Sequence, residues 1–119
     1  MKMNEVMKQK SFVILGDTLN EEKFAYKIKE AMISKGYKVQ AVGKELKSIN
    51  EAEGEIDVID LCINPVKGLA LLKENEKKFK SVVIQPGAGN DELVAYLEEN
   101  GIPYINDCLL QGLAKYRAD

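Results

Sequence analysis

Histidine and tryptophan are absent from this 119-residue chain, and cysteine occurs only twice. Without histidine there is no imidazole to relay a proton, to activate a thiol or hydroxyl, or to ligate zinc. Cys62 and Cys108 stand far apart with no C-x-x-C pair, so neither a disulfide framework nor a metal site is implied. Two buried thiols are the plain expectation, with Cys62 in the core. Excess charge is scarce as well: 17 basic against 19 acidic side chains leave a formal charge of -2. No global field then draws the chain to nucleic acid or anionic lipid, and any anionic ligand has to be held locally. Long hydrophobic runs are missing too, since no apolar stretch approaches the ~18 residues of a membrane span. The N-terminal "MKMNEVMKQK" is too polar to be the core of a signal peptide. These absences predict a soluble cytoplasmic protein with no membrane and no nucleic-acid partner.

The length suits one domain with a real core and is too short for two. Residues 1–10 are expected as an N-terminal extension and residues 11–119 as a single domain. In the extension, Met3, Val6 and Met7 make only a short stripe, which leaves an extra helix and disorder both open.

What is present is alternation. Apolar bursts of strand length, Phe12 to Leu15, Lys38 to Val42, Val58 to Ile63, Val82 to Ile84 and Tyr104 to Ile105, are separated by longer segments with helical spacing. The first, third and fourth are near-continuous, as strands covered on both faces require. In the first connection Phe24, Ile28, Ala31 and Met32 form a stripe, Thr18 and Glu21 are spaced as a capping box, and Gly36 suits a left-handed end. The third connection has Pro65 at a first helical position, then Val66, Leu69 and Leu72, with Phe79 further on. In the fourth, Asn90 precedes Asp91 and Glu92, with Leu93, Val94 and Leu97 facing inward and Asn100-Gly101 ending the segment. The segment "KELKSINEAEGE" carries one or two helical turns at most. The expected fold is α/β: a doubly wound, Rossmann-like three-layer sandwich with a five-stranded parallel sheet and right-handed crossovers, most simply in the order 3-2-1-4-5.

In such sheets ligands sit beyond the carboxyl ends of the strands, where strand order reverses. Gly16 stands there, followed by Asp17 and Thr18. A glycine permits a tight turn and aims the next helix's amides at the crevice, where phosphate is the natural guest. "GDTLNE" is not a dinucleotide fingerprint, because G-x-G-x-x-G needs two more glycines and none occurs before Gly36. A standard NAD site is disfavoured. These residues alone leave a plain turn and a phosphate site equally open. Other strand ends carry "AVGK", "INPVKG" and "IQPGAGN", so that glycine, proline, amide and lysine gather on one rim. Lys23, Lys27, Lys44 and Lys67 are the cations within reach of it.

Taken in order from Phe12 to Cys108, the stretches are Gly16-Asp17-Thr18, Lys23-Phe24-Ala25-Tyr26-Lys27, Val42-Gly43-Lys44, Asp57-Val58-Ile59-Asp60-Leu61 with Pro65, Gln85-Pro86-Gly87, and Cys108. This ordered set resembles the small CoA-binding proteins with a succinyl-CoA-synthetase-like Rossmann domain. The resemblance implies a coenzyme A-type nucleotide, with the Gly16 turn and first-helix amides at the pyrophosphate and Thr18 as a hydroxyl donor. It places Gly43, Lys44, Asn64 and Pro65 beside the adenosine. Lys23, Tyr26, Lys27, Gln85, Gly87 and Cys108 complete the implied site. The chain departs from the family pattern at four places. Asp17 replaces a small neutral residue, Gly43-Lys44 replaces Asn-Pro, and Asn64 and Asp107 each replace an arginine. A carboxylate at Asp17 costs phosphate affinity unless it turns outward, and Lys44 and Lys67 are placed to compensate.

Asp60 lies within an apolar burst, yet Leu61, Cys62 and Ile63 continue the strand beyond it, unlike the acceptor aspartate of a receiver domain. A hydrogen-bonded, partly buried carboxylate is expected instead. Tyr26 lies off the stripe and either faces the first loop or packs on a neighbour. The function expected is binding of coenzyme A or a related adenine nucleotide, without catalysis and without metal. The alternatives are a nucleotide-dependent oxidoreductase or transferase subunit whose catalytic half is a separate chain, and a ligand-free interaction module on the same fold. A homodimer and a separate catalytic partner are both left open.

Overall fold

The computed structural model describes residues 2–115. Met1 and residues 116–119, the outer ends of the expected extension and domain, lie outside the described residues. The strands are β1 (Ser11–Gly16), β2 (Lys38–Gly43), β3 (Val58–Leu61), β4 (Ser81–Ile84) and β5 (Tyr104–Asn106). The α-helices are α1 (Met3–Met7), α2 (Phe24–Ser34), α3 (Pro65–Glu74), α4 (Asp91–Glu99) and α5 (Leu109–Lys115). Every strand pairing is parallel, and the fold is the doubly wound α/β sandwich.

Strand alternation divides the core into two layers. Phe12, Ile14, Val58 and Val83 face α1, α2 and α5 through Val6, Met7, Ile28, Met32, Leu109 and Leu113. Val13, Leu15, Ile59, Leu61, Val82 and Ile84 face α3 and α4 through Leu69, Leu72, Leu93 and Leu97. No helix among the described residues is long and apolar enough to cross a membrane.

The strand order is 2-1-3-4-5, not the expected 3-2-1-4-5. β2 lies at the edge, where Lys38 is exposed and Val39 and Gln40 are half-buried, as an edge strand allows. β3 is buried at every position and has to be central. The reversal of strand order therefore falls between β1 and β3.

Helix ends follow their expected chemistry with one exception. Asn64 Oδ1 accepts from the amides of Val66 and Lys67 at 2.8 and 3.3 Å, with Pro65 opening α3. Asn90 Oδ1 accepts from Leu93 at 2.9 Å, and Gly36 and Gly101 take positive φ of 90° and 65° after α2 and α4. The capping box is not at Thr18 and Glu21. It lies at Ser48 and Glu51, around the short 3-10 turn Ile49–Glu51. Helix α2 starts only at Phe24, because Asp17 and Asn20 tie the intervening residues into turns. Two stripe positions also differ from expectation. Phe24 and Val66 are 64% and 69% exposed; the buried faces are Ala25, Ile28 and Met32 on α2, and Gly68, Leu69 and Leu72 on α3.

Candidate ligand-binding site

The carboxyl ends of β1, β3, β4 and β5 open into a cleft of about 570 Å³. Asp17, Lys23 and Phe24 form one wall, Ile63 and Asn64 another, and Gln85 to Ala88 with Cys108 and Gln111 the third. A second lobe of about 430 Å³ continues toward Asn90 and Asn106, and Gln85, Pro86, Gly87, Cys108 and Gln111 border both lobes. The cleft sits at the switch point, where a doubly wound sheet binds ligands.

Six of the residues expected from the sequence come together there: Asp17, Lys23, Asn64, Gln85, Gly87 and Cys108. Gly16 ends β1 close by, where a Cβ would stand 2.6 Å from the Cys62 carbonyl oxygen and 2.9 Å from Ala25 Cβ. Asp17 Oδ1 accepts from the amides of Leu19 and Asn20 at 3.1 and 3.2 Å. Its carboxylate thus organises the loop while bordering the cleft.

The other expected residues lie around the rim, outside the cleft lining. Thr18 is buried, and its hydroxyl donates to the Glu45 carboxylate, which also accepts from Lys29 Nζ at 2.7 and 2.8 Å. Burial raises the Glu45 pKa, but the hydrogen bonds from Lys29 and Thr18 outweigh it and the net shift is downward. Gly43 turns the chain at the end of β2, its amide donating to the Leu46 carbonyl at 2.7 Å. At φ 133° its Cβ would be 2.9 Å from the Gly16 carbonyl oxygen. Lys44 beside it is exposed. Tyr26 is half-buried on α2, Lys27 Nζ lies 5.7 Å from the centre of the Phe24 ring, and Pro65 serves the start of α3.

Sequence reasoning did not assign Phe24, Ile63 or Gln111 to the site, and it did not find α5. Phe24 was placed in the α2 stripe, although Ala25, Ile28 and Met32 form a second stripe at i, i+3 and i+7 that leaves it out. For α5 the signal was the i, i+4 pair Leu109 and Leu113, which turns Gln111 away from the core.

The N-terminus of α2 differs from those of α3 and α4. Lys23 holds its N-cap position and supplies no side-chain acceptor, whereas Asn64 and Asn90 cap α3 and α4. Lys23 and the first residues of α2, Phe24 and Ala25, thus line one wall of the cleft at a helix end with no side-chain cap, an arrangement that favours an anion.

Beneath the cleft, Asp60 is fully buried on β3 and is not merely partly buried as expected. Gln85 Nε2 donates to its Oδ1 at 2.7 Å. Burial raises the Asp60 pKa to about 7 against the opposing pull of that hydrogen bond. Cys62 is half-buried, packed against the α2–α5 layer of the core while also bordering the cleft, because β3 ends at Leu61. Burial, with the negative charge of Asp60 and then Cys108 adding to it, pushes its thiol up to about 12. It is not a thiolate nucleophile at neutral pH. Among the described residues no group of three or more acidic, cysteine or histidine side chains is placed to hold a metal ion.

A family model described as CoA binding domain matches residues 10–113. The chain belongs to the CoA-binding domain family. Among solved structures, a conserved hypothetical protein from Pyrococcus furiosus is 29% identical, with a TM-score of 0.74, covering 81% of this chain and 91% of that one. An uncharacterized protein at 28% identity gives a TM-score of 0.69, covering 89% of this chain and 95% of its own. A Thermus thermophilus protein at 18% identity and a TM-score of 0.78, covering 97% and 98%, shares the fold. No curated protein matches this chain.

Proposed function

We propose that this protein binds coenzyme A or a related adenine nucleotide in the switch-point cleft, through the loop after β1, and performs no chemistry of its own. The observation that carries the proposal is the convergence of Lys23 with the uncapped first turn of α2 on a cleft also lined by the exposed Phe24 ring. A phosphate suits the helix end and the ammonium, and an aromatic face suits an adenine ring. Asn64 and Gln85 add amide groups for orientation. The residues present therefore fit a coenzyme A-type ligand. Gly16 is proposed to bring the loop close, and Gly87 and Cys108 to border the ligand further along the cleft. Thr18, Gly43 and Lys44 shape and hold the rim, with Tyr26, Lys27 and Pro65 behind it.

Absence of catalysis is proposed from the chemistry of the cleft side chains. The Cys62 thiol is held protonated and no histidine exists to activate Cys108. Calorimetric titration with coenzyme A, dephospho-CoA and NAD tests the proposal. Saturable binding of coenzyme A, weakened by Lys23→Glu and by rising salt, is expected. Absence of binding overturns the ligand, and turnover of an acyl-CoA by the purified chain overturns the non-catalytic role.

One observation favours the interaction module as a second reading. The Asp17 carboxylate already supplies a negative acceptor to two amides of the loop, so the loop is ordered without a phosphate. Failure of both wild type and Asp17→Asn to bind any of the three nucleotides would bring that reading forward.

A further inference from the structure

Asp60 and Gln85 form a buried polar couple directly under the proposed ligand. Asp60 pairs in register with Ile14 on β1 and Val83 on β4, and its side chain points to the face covered by α2 and α5. Those helices turn Ala25, Ile28, Met32, Leu109 and Leu113 toward this layer. Asp60 Oδ2 has no hydrogen-bond partner. On this side lie the Cys62 and Cys108 thiols and the Tyr37 phenol packed against the same layer, with Asp17 and Lys23 at the cleft mouth. Gln85 is 5% exposed and borders both lobes of the cleft.

An ionised carboxylate only accepts hydrogen bonds, so its partner amide has to turn Nε2 toward it. The observed contact has that sense, with Nε2 donating to Oδ1 at 2.7 Å. With Nε2 committed downward, the carbonyl Oε1 is the end of the amide that faces away from Asp60. Protonation of Asp60 lifts this requirement. The acid then carries an O–H donor, and the amide can reverse to accept it through Oε1, turning Nε2 outward instead.

We infer that Asp60 is a positioning residue that sets which end of the Gln85 amide faces the cleft, making Gln85 select a ligand N–H or O–H donor when Asp60 is ionised. Coenzyme A carries such donors in its adenine amine and its amide-containing arm. The inference deepens the binding role proposed above and, for its ligand side, rests on it. The couple is also placed to sense pH, because burial brings the Asp60 titration to about 7 while the Cys62 thiol stays neutral throughout that range.

Two measurements test it. The first needs no ligand: the Asp60 carboxyl-carbon shift and the Gln85 side-chain amide signals are followed by NMR from about pH 5.5 to about pH 8.5. Both are expected to move with one midpoint, and in Asp60→Asn the Gln85 signals should stop titrating. Gln85 signals that ignore the Asp60 titration overturn the inference. The second is calorimetry with coenzyme A on wild type and Asp60→Asn over the same range, where the ratio of the two affinities cancels titration of the ligand itself. Wild type should gain about fivefold over the variant as Asp60 ionises, the worth of one hydrogen bond. A flat ratio with intact binding overturns the ligand-selecting role. Loss of binding in both proteins at every pH overturns the coenzyme A proposal instead, and the NMR arm then decides the couple by itself.

Discussion

The Cys62 carbonyl oxygen lies 2.6 Å from the point where a Cβ on Gly16 would stand. β1 and β3 meet there at the switch point, and the obstacle is backbone, which cannot rotate away as a side chain could. Gly16 is therefore required by close approach whatever ligand the cleft holds. Gly16→Ala is expected to cost about 1–3 kcal/mol of stability, read as a lower urea midpoint, and a wild-type midpoint would refute the close approach. Loss of ligand binding by Gly16→Val would for the same reason say little about phosphate.

Phe24 separates binding from folding more cleanly. Its ring is 64% exposed at the cleft wall, so Phe24→Ser should change stability by no more than about 0.5 kcal/mol. Coenzyme A affinity should fall about tenfold if adenine stacks there. Unchanged calorimetric affinity would move the base elsewhere.

Asp17→Asn keeps an oxygen for the amides of Leu19 and Asn20 while removing a negative charge beside the proposed phosphates. Affinity for coenzyme A should rise about fivefold at low salt, with the gain shrinking as salt is added. Weaker binding would mean that the carboxylate itself holds the loop in its binding form.

Asp60 gives stability a distinctive pH dependence. Its folded-state pKa of about 7 exceeds the unfolded value, so between about pH 4 and pH 7 the native state holds a proton that the unfolded state has lost. Stability falls as pH rises through that window and this contribution then levels off, at a total cost on the order of 4 kcal/mol. Asp60→Asn should raise the melting temperature at pH 8 and approach wild type near pH 5. Equal melting temperatures at pH 8 would show the carboxylate to be compensated.

Asp57 works in the opposite sense. Burial raises its pKa, but the amides of Lys10 and Ser11 at 3.1 and 3.0 Å, with Lys80, outweigh that and hold it below the ordinary range. Its stabilisation is present above the unfolded carboxylate pKa and is lost as pH falls through the folded one. Asp57→Ala should cost about 2 kcal/mol at neutral pH, measured by urea unfolding, and nearly nothing in acid. A full penalty persisting in acid would place its role outside ionisation.

The strands, the helices α2 to α4 and the glycine corner were legible because they rest on local rules: apolar runs, helical stripes, and turn residues at fixed offsets. Pro65 and Asn90 announced their helices through rules that reach only a few residues along the chain, whereas Asn64, expected beside a ligand, proved to be the cap of α3 as well. Phe24 was misplaced because two overlapping stripes on α2 satisfy the same periodicity, and only packing against the sheet chooses between them. Thr18 looked like a cap, but a partner 27 residues away, Glu45, took its hydroxyl.

By itself the sequence determined an alternating α/β chain, a glycine turn after the first strand, and an ordered set of loops that resembles one family. Strand order needed the tertiary structure, because the polar edge of β2 excludes an interior place only once a neighbouring strand is available to fill it. So did the cleft. Asp60 and Gln85 stand 25 residues apart in the chain, and Phe24 and Gln111 still further. Their meeting depends on the register of parallel strands and on α5 closing over the sheet, long-range contacts that no local pattern encodes.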